Sequence, residues 1–440
     1  DIEWDEGSAA SIDSASLSAR FAERATTGSG AVARTTGDAR AALAGAAQKV
    51  EAIYELPFLH HSTMEPMNCT ALVRPDGCDV WAPTQAQTNA QEVAAELTGL
   101  PKEKVRIHTT LLGGGFGRRA EQDFVSEAVL LSKKTGHPVQ VVWTREDDVR
   151  HGFYRPATHN RLAAGLDASG KPVAWTHHIV GPAILKFKFG ELDKGIDRTL
   201  VEGAANVPYA IPNILVEQTV VETPVPIGFW RSVGSSHNAF VTEVFFDEIA
   251  RAAKRDPYEL RRELLKEQPR HLAALDLAAD KAGWGKALPE GRFRGIAVAE
   301  SFGSFVAEVA EISLGSNGVP RVHRVVVGVD CGPYVNPDTI VAQMESGVVY
   351  GLSAALYGEI TLQSGRVQQS NFHDYQVLRM AEMPRVETYI VESTGKMGGI
   401  GEPGTPPIAP AVANAIHSGT GTPVRKLPIV SKTPAKTARG

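Results

Sequence analysis

Val105-Arg106-Ile107-His108-Thr109, followed by Leu112-Gly113-Gly114-Gly115-Phe116-Gly117-Arg118-Arg119, is the stretch on which the fold reading turns. The first five residues read as a strand, and the glycines form a turn where backbone can approach a ligand closely. Phe124, Ala128 and Leu131 then recur at helical spacing until Gly136 ends the helix, and Val139 to Trp143 reads as a strand. Strand, Gly-rich turn, helix and strand make one βαβ-like unit. Backbone N–H groups at such a turn suit phosphate, and Arg118 and Arg119 add positive charge. Gly115-Phe116-Gly117-Arg118-Arg119-Ala120 also meets the looser GxGxxA dinucleotide fingerprint, with Arg145-Glu146 where a ribose-reading residue would sit. A phosphate cradle and a nicotinamide-dependent dehydrogenase therefore both stay open at this turn.

Around that unit, strands and helices follow one another without regular βα alternation, which argues α+β architecture rather than a doubly wound sheet. Residues 1–48 are rich in Ala, Ser, Thr and Gly, with a helical pattern around Leu17 to Ala25. Ile2-Glu3-Trp4-Asp5 alternates like the end of a strand, so the segment reads as a strand remnant and linker. Val50, Ala52, Tyr54 and Leu56 alternate as a strand, and Ala90 to Thr98 reads as a helix. The charged, Pro/Gly-punctuated stretch from about 265 to 290 suggests a connection between domains. The expected division is 49–285 and 286–440. The second part has strands at Phe305–Ile312, Arg321–Val329, Gly358–Leu362 and Val386–Val391, and a helix from Asp338. The final dozen residues read as a mobile basic tail.

Composition narrows the function. Of 440 residues, 43% are hydrophobic and 22% charged, which suits globular domains with substantial cores. A formal charge of -5 and the lack of a basic patch speak against nucleic acid. No apolar run is long enough for a transmembrane helix. Cys69, Cys78 and Cys331 have no metal-ligand spacing, so an iron–sulfur cluster or structural zinc is not expected in this chain. Asp1 reads as a processing boundary, and the compartment is unreadable from the termini.

Three further stretches carry chemistry. Leu59-His60-His61-Ser62-Thr63-Met64-Glu65-Pro66-Met67-Asn68-Cys69-Thr70 pairs two histidines with no third ligand at useful spacing, so metal and buried hydrogen-bonding roles compete. Gly228-Phe229-Trp230-Arg231-Ser232-Val233-Gly234 is a second Gly-containing loop with an arginine feeding a helix, which suggests anion binding. Gly398-Gly399-Ile400-Gly401-Glu402-Pro403-Gly404-Thr405-Pro406-Pro407 places one carboxylate among four glycines and three prolines. Pro403 biases Glu402 towards extended backbone, and Thr405 reads as an N-cap with Pro406 in the first helical turn. An ordinary connection bearing one exposed acid has the same look.

Together and in this order, the four loops resemble the molybdenum-binding subunit of the xanthine dehydrogenase/aldehyde oxidase family, in the branch of the isoquinoline 1-oxidoreductase beta subunit. The resemblance covers about residues 48–428. It implies two mixed α/β molybdopterin-binding domains packed around a cofactor seam, preceded by the end of a hammerhead-like domain. It also implies a molybdopterin cytosine dinucleotide with molybdenum held by the pterin dithiolene, and [2Fe-2S] clusters on a separate small subunit. The implied reaction hydroxylates an aldehyde or N-heteroaromatic carbon, with water as the oxygen source.

Carried onto this sequence, Glu402 would be the general base. Gly114, Gly115, Phe116, Gly117, Arg118, Arg231, Ser232 and Gly401 would contact the cofactor, and His60, His61 and Trp230 would line the substrate pocket. A Met-Gly-Gln-Gly-like motif of the family is not in this sequence, which implies an N-terminal part or second chain as partner. Where xanthine dehydrogenases carry a glutamine, this chain has Leu59-His60-His61. A non-catalytic half that scaffolds a partner is the remaining reading. The resemblance implies bacterial cytoplasm or periplasm, some relatives of this branch being exported folded, and leaves the compartment open.

Overall fold

A computed structural model describes residues 3, 5, 7–190 and 192–430. The expected strand at Ile2-Glu3-Trp4-Asp5 and the basic tail lie largely outside them. No helix of the described residues is long and apolar enough to cross a membrane.

Three sheets organise the chain, giving the mixed α+β fold the irregular alternation implies. A five-stranded sheet runs in the order β1 (Ala31–Thr36), β9 (Ile214–Val220), β8 (Pro172–Gly181), β7 (Thr158–Leu166), β2 (Gln48–Leu56). A four-stranded sheet has the order β5 (Val105–Thr109), β4 (Gly77–Ala82), β3 (Asn68–Arg74), β6 (Val139–Val142). The third is β10 (Arg292–Ser301), β11 (Ser304–Leu314), β12 (Pro320–Asp330), β15 (Arg385–Ile390), with a small ribbon of β13 (Leu362–Gln363) and β14 (Arg366–Val367) apart from it.

The central helix Val233–Ala252 lies between the first and third sheets. The sequence suggested one apolar stripe, but every residue from Gly234 to Ala250 is buried. Such a helix is covered on all sides. On one side Phe240, Val244 and Phe245 meet Tyr54, Leu162 and Trp175 of the five-stranded sheet, and the same core continues to Ile296, Ala307 and Val326 of the third sheet. Its acids are buried with partners. Glu243 accepts hydrogen bonds from Arg261 Nε and from the Val298 N–H of β10, both at 2.9 Å. Unpaired, that carboxylate would be strongly destabilising; paired, it fixes the helix against β10.

The segment expected as a linker is folded. Ser14–Thr27 is a helix whose Leu17, Phe21 and Ala25 are buried, spaced one turn apart, and β1 pairs antiparallel with β9. Phe21 and Ala25 pack with Val180 and Val221, so apolar spacing outweighs the Ser/Thr/Gly-rich composition. The 265–290 stretch, expected as a connection between domains, is itself folded. Pro269–Ala282 is a helix that buries Ala274, Leu275 and Ala278, and a Cβ added at Gly328 of β12 would stand 2.4 Å from the Ala274 carbonyl. The strand expected at Gly358–Leu362 is mostly replaced by an isolated bridge, Phe58 to Ile360, with Leu362 alone opening the short β13.

The βαβ-like unit is real but differently closed. β5 and β6 lie on opposite edges of their sheet, with β4 and β3 between them. β4 pairs parallel with β5, while β3 is antiparallel to both β4 and β6. The helix of this unit is Asp123–Thr135, and Gly136 caps it at φ 68° as expected.

Candidate functional site

Four loops converge where the central helix begins. The Gly-rich turn is pinned first. Glu65 Oε2 accepts the Gly113 N–H at 2.7 Å, and the Gln85 side-chain oxygen accepts the Gly117 N–H at 3.1 Å. Gly117 sits at φ 105°, and a Cβ there would lie 1.9 Å from the Phe229 carbonyl. Only glycine lets the first loop touch the second so closely. Phe116 is held at φ 55° and stacks on Tyr350, with centroids 4.2 Å apart, and Tyr350 stacks in turn on Trp230 at 4.7 Å.

The charge expected at this turn is directed inward. Arg118 and Arg119 are completely buried. Arg118 forks onto Asp123 at 2.9 and 2.6 Å and lies over the rings of Trp143 and Phe153. Arg119 donates to the Gly114 carbonyl at 2.8 Å and to Glu65. Both guanidiniums brace the loop from behind instead of facing a phosphate. Nor does a helix start at the turn: a 3-10 turn, Arg118–Ala120, intervenes before Asp123. Glu146 is bonded to Asn371 Nδ2 at 2.7 Å. These features do not make the dinucleotide arrangement that the GxGxxA match suggested.

Arg231 is the joint between loops. Its Nε donates to the Gly401 carbonyl at 3.0 Å, its Nη1 to Ser346 Oγ at 2.8 Å, and its Nη2 to Gln343 Oε1 at 3.1 Å. Ser346 and Gln343 belong to the helix Pro337–Tyr357. A planar guanidinium suits this fan of acceptors, which an ammonium could not match.

Ser232 then holds Glu402. Its N–H donates to Glu402 Oε2 at 2.6 Å, and its Oγ donates to the Glu402 carbonyl at 2.8 Å. Burial raises the Glu402 carboxyl above its usual range, opposed by the Ser232 N–H and the charge of Arg231. The helix after Glu402 starts later than Thr405 suggested. Thr405 N–H closes a turn onto the Glu402 carbonyl at 3.0 Å, and the helix runs from Ile408 to Thr420. Two successive prolines delay regular helical bonding. Gly401 is exposed, and a Cβ there would meet nothing within 4 Å.

Beside this joint lies a cavity of about 510 Å³, lined by His60, His61, Phe116, Trp230, Tyr350 and Tyr375 among others. His61 Nε2 is 2.7 Å from the Phe229 carbonyl, and burial keeps its pKa down at about 3, so it is neutral. His60 is buried, its Nδ1 accepting the Ser62 N–H at 3.0 Å, with its Nε2 3.7 Å from Asp148. Trp230 donates a long bond of 3.4 Å to the His60 carbonyl. The expected residues thus sit together, apart from the Arg118 side chain. Sequence reasoning missed Tyr350, Gln343 and Ser346, whose helix has no chemical signature, and Gln85, whose Thr84-Gln85-Ala86-Gln87 run was the available signal.

Residues 24–265 match one molybdopterin cofactor-binding domain model and residues 243–384 match a second. The chain is 31% identical over 379 residues to the isoquinoline 1-oxidoreductase subunit beta of Brevundimonas diminuta, covering 84% of this chain and 48% of that protein. It is 30% identical over 417 residues to a membrane-bound aldehyde dehydrogenase [pyrroloquinoline-quinone] of Gluconacetobacter polyoxogenes, covering 86% and 52%. The chain therefore spans about half the length of the curated relatives it matches. Quinoline 2-oxidoreductase from Pseudomonas putida 86 shares the fold, with a TM-score of 0.78 at 14% identity over 92% of this chain and 78% of that one.

Proposed function

The chain belongs to the molybdopterin cofactor-binding domain family, among the xanthine dehydrogenase/aldehyde oxidase proteins, and from that premise we propose that it forms the substrate-oxidising site of a molybdenum hydroxylase with Glu402 as general base. The observation that carries this reading is the double grip of Ser232 on Glu402 at the seam of four loops. Oε2 is engaged by Ser232, and Oε1 makes no hydrogen bond among the described residues, so a carboxylate oxygen is available for a proton. Burial lifts its basicity without removing its charge compensation, since Arg231 stands close by.

The residues present fit a pterin-held metal. Open space faces Gly401 beside the base, and a dithiolene-bound metal requires no side-chain ligands. Gly113, Gly114 and Phe116 line the adjoining cavity. When bound, the group supplies the two-electron oxidation and acidifies the water-derived oxygen that enters the substrate. Phe116 and Gly401 would border it, and Arg231 and Ser232 would keep the Glu402 loop in register. The halves 49–285 and 286–440 would each contribute part of the seam. We extend the proposal to the cytosine dinucleotide form of the cofactor, to [2Fe-2S] clusters on a separate small subunit, and to a further segment or chain supplying the remaining cofactor contacts.

The cavity supports an uncharged, planar substrate, an aldehyde or N-heteroaromatic ring. Its lining holds no Lys, Arg, Asp or Glu, and of its two histidines His61 is neutral while the His60 Nδ1 accepts the Ser62 N–H. The test is the complex with its partners. We expect bound molybdenum and releasable pterin, and turnover abolished in Glu402→Gln with cofactor retained. A complex without either component would sink the assignment, and near-normal turnover in Glu402→Gln would leave this chain a scaffold.

A further inference from the structure

Glu402 is not the only carboxylate at the head of the central helix. Glu202 follows the short helix Arg198–Val201, and its Oε1 accepts a long hydrogen bond of 3.4 Å from Ser235 Oγ. Ser232 immediately precedes the central helix and Ser235 lies in its first turn. Glu402 therefore hangs from the Ser232 N–H, and Glu202 from the next step of the same turn.

The packing that creates this pairing is specific. A Cβ at Gly234 would stand 2.9 Å from Glu202 Cβ and 2.5 Å from the Thr199 carbonyl, so residue 234 must be glycine for the two segments to touch. Asn238 Nδ2 secures the Glu202 carbonyl at 2.7 Å. Glu202 makes no ion pair within 4.0 Å among the described residues, its side-chain contact being the long bond from Ser235. The charged groups facing it are Arg198 from its own segment, Glu402 from the Gly-rich loop and Glu300 from β10, and Ser235 is the polar group on the central helix.

Resting on the assignment of Glu402 as base, we propose that Glu202 is the proton acceptor that resets Glu402 between turnovers. The O–H bond on Glu402 breaks and an O–H bond on Glu202 forms, directly or through one intervening hydroxyl or water. Glu202, only partly buried, then releases the proton to solvent. No electrons move in this step. Burial and the charge of Glu402 push the Glu202 carboxyl up to about 7, which suits a group that must both take and release a proton near neutrality. Carboxylates held by Ser232 and Ser235 at the start of one helix, each in the other's field, titrate as a pair.

Two measurements test it. In the full chain with no cofactor, glutamate carbons labelled with carbon-13 report each carboxyl by NMR. We expect the Glu402 midpoint to fall in Glu202→Gln and the Glu202 midpoint to fall in Glu402→Gln; unmoved midpoints overturn the coupling on which the relay depends. In the cofactor-loaded complex, Glu202→Gln should lower kcat about tenfold or more with KM and cofactor content unchanged, and Glu202→Asp should restore part of it. Unchanged kcat overturns the proposal even if the coupling is present. Ser235→Ala, a milder change, should lower kcat less, in the same direction. Failure of the base assignment looks different: Glu402→Gln itself would stay active while the NMR coupling persisted.

Discussion

Ser232 grips Glu402 at both ends, its N–H on carboxylate Oε2 at 2.6 Å and its Oγ on the glutamate carbonyl at 2.8 Å. To do so Ser232 adopts φ 69° and Val233 φ 45°, left-handed conformations that side-chain-bearing residues resist. Such strain persists only where surrounding structure over-determines it, and here the buried helix and the Arg231 fan supply that constraint.

Ser232→Gly and Ser232→Ala separate the two contributions. Both keep the N–H to Glu402 and lose the Oγ bond, worth about 1 kcal/mol. Glycine also relieves the left-handed strain, roughly 1 kcal/mol, and so should unfold close to wild type in urea. Alanine should be less stable by about 1 kcal/mol. A glycine variant weaker than the alanine variant would show that φ 69° is not strained here.

Two glycines predict opposite defects. Gly117→Ala forces a Cβ to within 1.9 Å of the Phe229 carbonyl at φ 105°, so it should lower stability by more than about 2 kcal/mol. At Gly401 a Cβ meets nothing within 4 Å and φ is not left-handed. Gly401→Ala should therefore unfold like wild type, and its defect should be in cofactor content, because the methyl enters the space the cofactor would fill. Denaturant melts beside pterin release assays distinguish the two.

Much of this was readable because the informative residues are those whose backbone is unusual. Gly136 ends its helix, Val105–Thr109 is a strand, and the Gly113–Gly117 and Gly398–Gly404 runs mark turns that contact other loops. What hid was whatever depends on a distant partner. Arg118 and Arg119 look like surface charges in the sequence, but Asp123 and Glu65 reach them only in the fold. Tyr350 is anonymous within an apolar helix until Phe116 and Trp230 stack on it. Leu17 to Ala25 showed a helical pattern, yet composition hid its partner strands, β7 and β8.

Arg231→Lys tests whether the joint is a matter of charge or of shape. The charge survives, but one ammonium cannot reach Gly401, Ser346 and Gln343 together. Losing hydrogen bonds from a buried charged group should cost about 2–3 kcal/mol in urea unfolding. The Glu402 loop should loosen too, visible as faster hydrogen exchange at the Thr405 N–H, which closes the turn onto Glu402. Wild-type exchange there would mean that Ser232 alone holds the loop.

The cavity's lining makes a statement about substrates of the loaded complex. With no Lys or Arg in the wall and His61 neutral, an aromatic carboxylate would enter without a counter-ion. Burying an unpaired carboxylate costs several kcal/mol, so a neutral bicyclic heteroaromatic should exceed its carboxylated analogue in kcat/KM by about a hundredfold or more. Equal specificity constants would place substrate somewhere other than this cavity.

Stability should fall as pH rises through the range where Glu202 ionises. Its ordinary value is 4.5, and in the fold it is raised to about 7, so the native state holds its proton more tightly than the unfolded chain. Its contribution is therefore fully present below about pH 4.5 and is lost by about pH 7. Glu402 and the fully buried Glu308 on β11 are raised by the same cause and act in the same direction. Glu202→Gln removes one of the three. Its urea midpoint should match or fall below wild type near pH 4.5 and exceed it at about pH 8, giving a shallower slope between the two. Parallel curves for variant and wild type would show that Glu202 titrates alike in both states, and would remove the electrostatic basis for pairing it with Glu402.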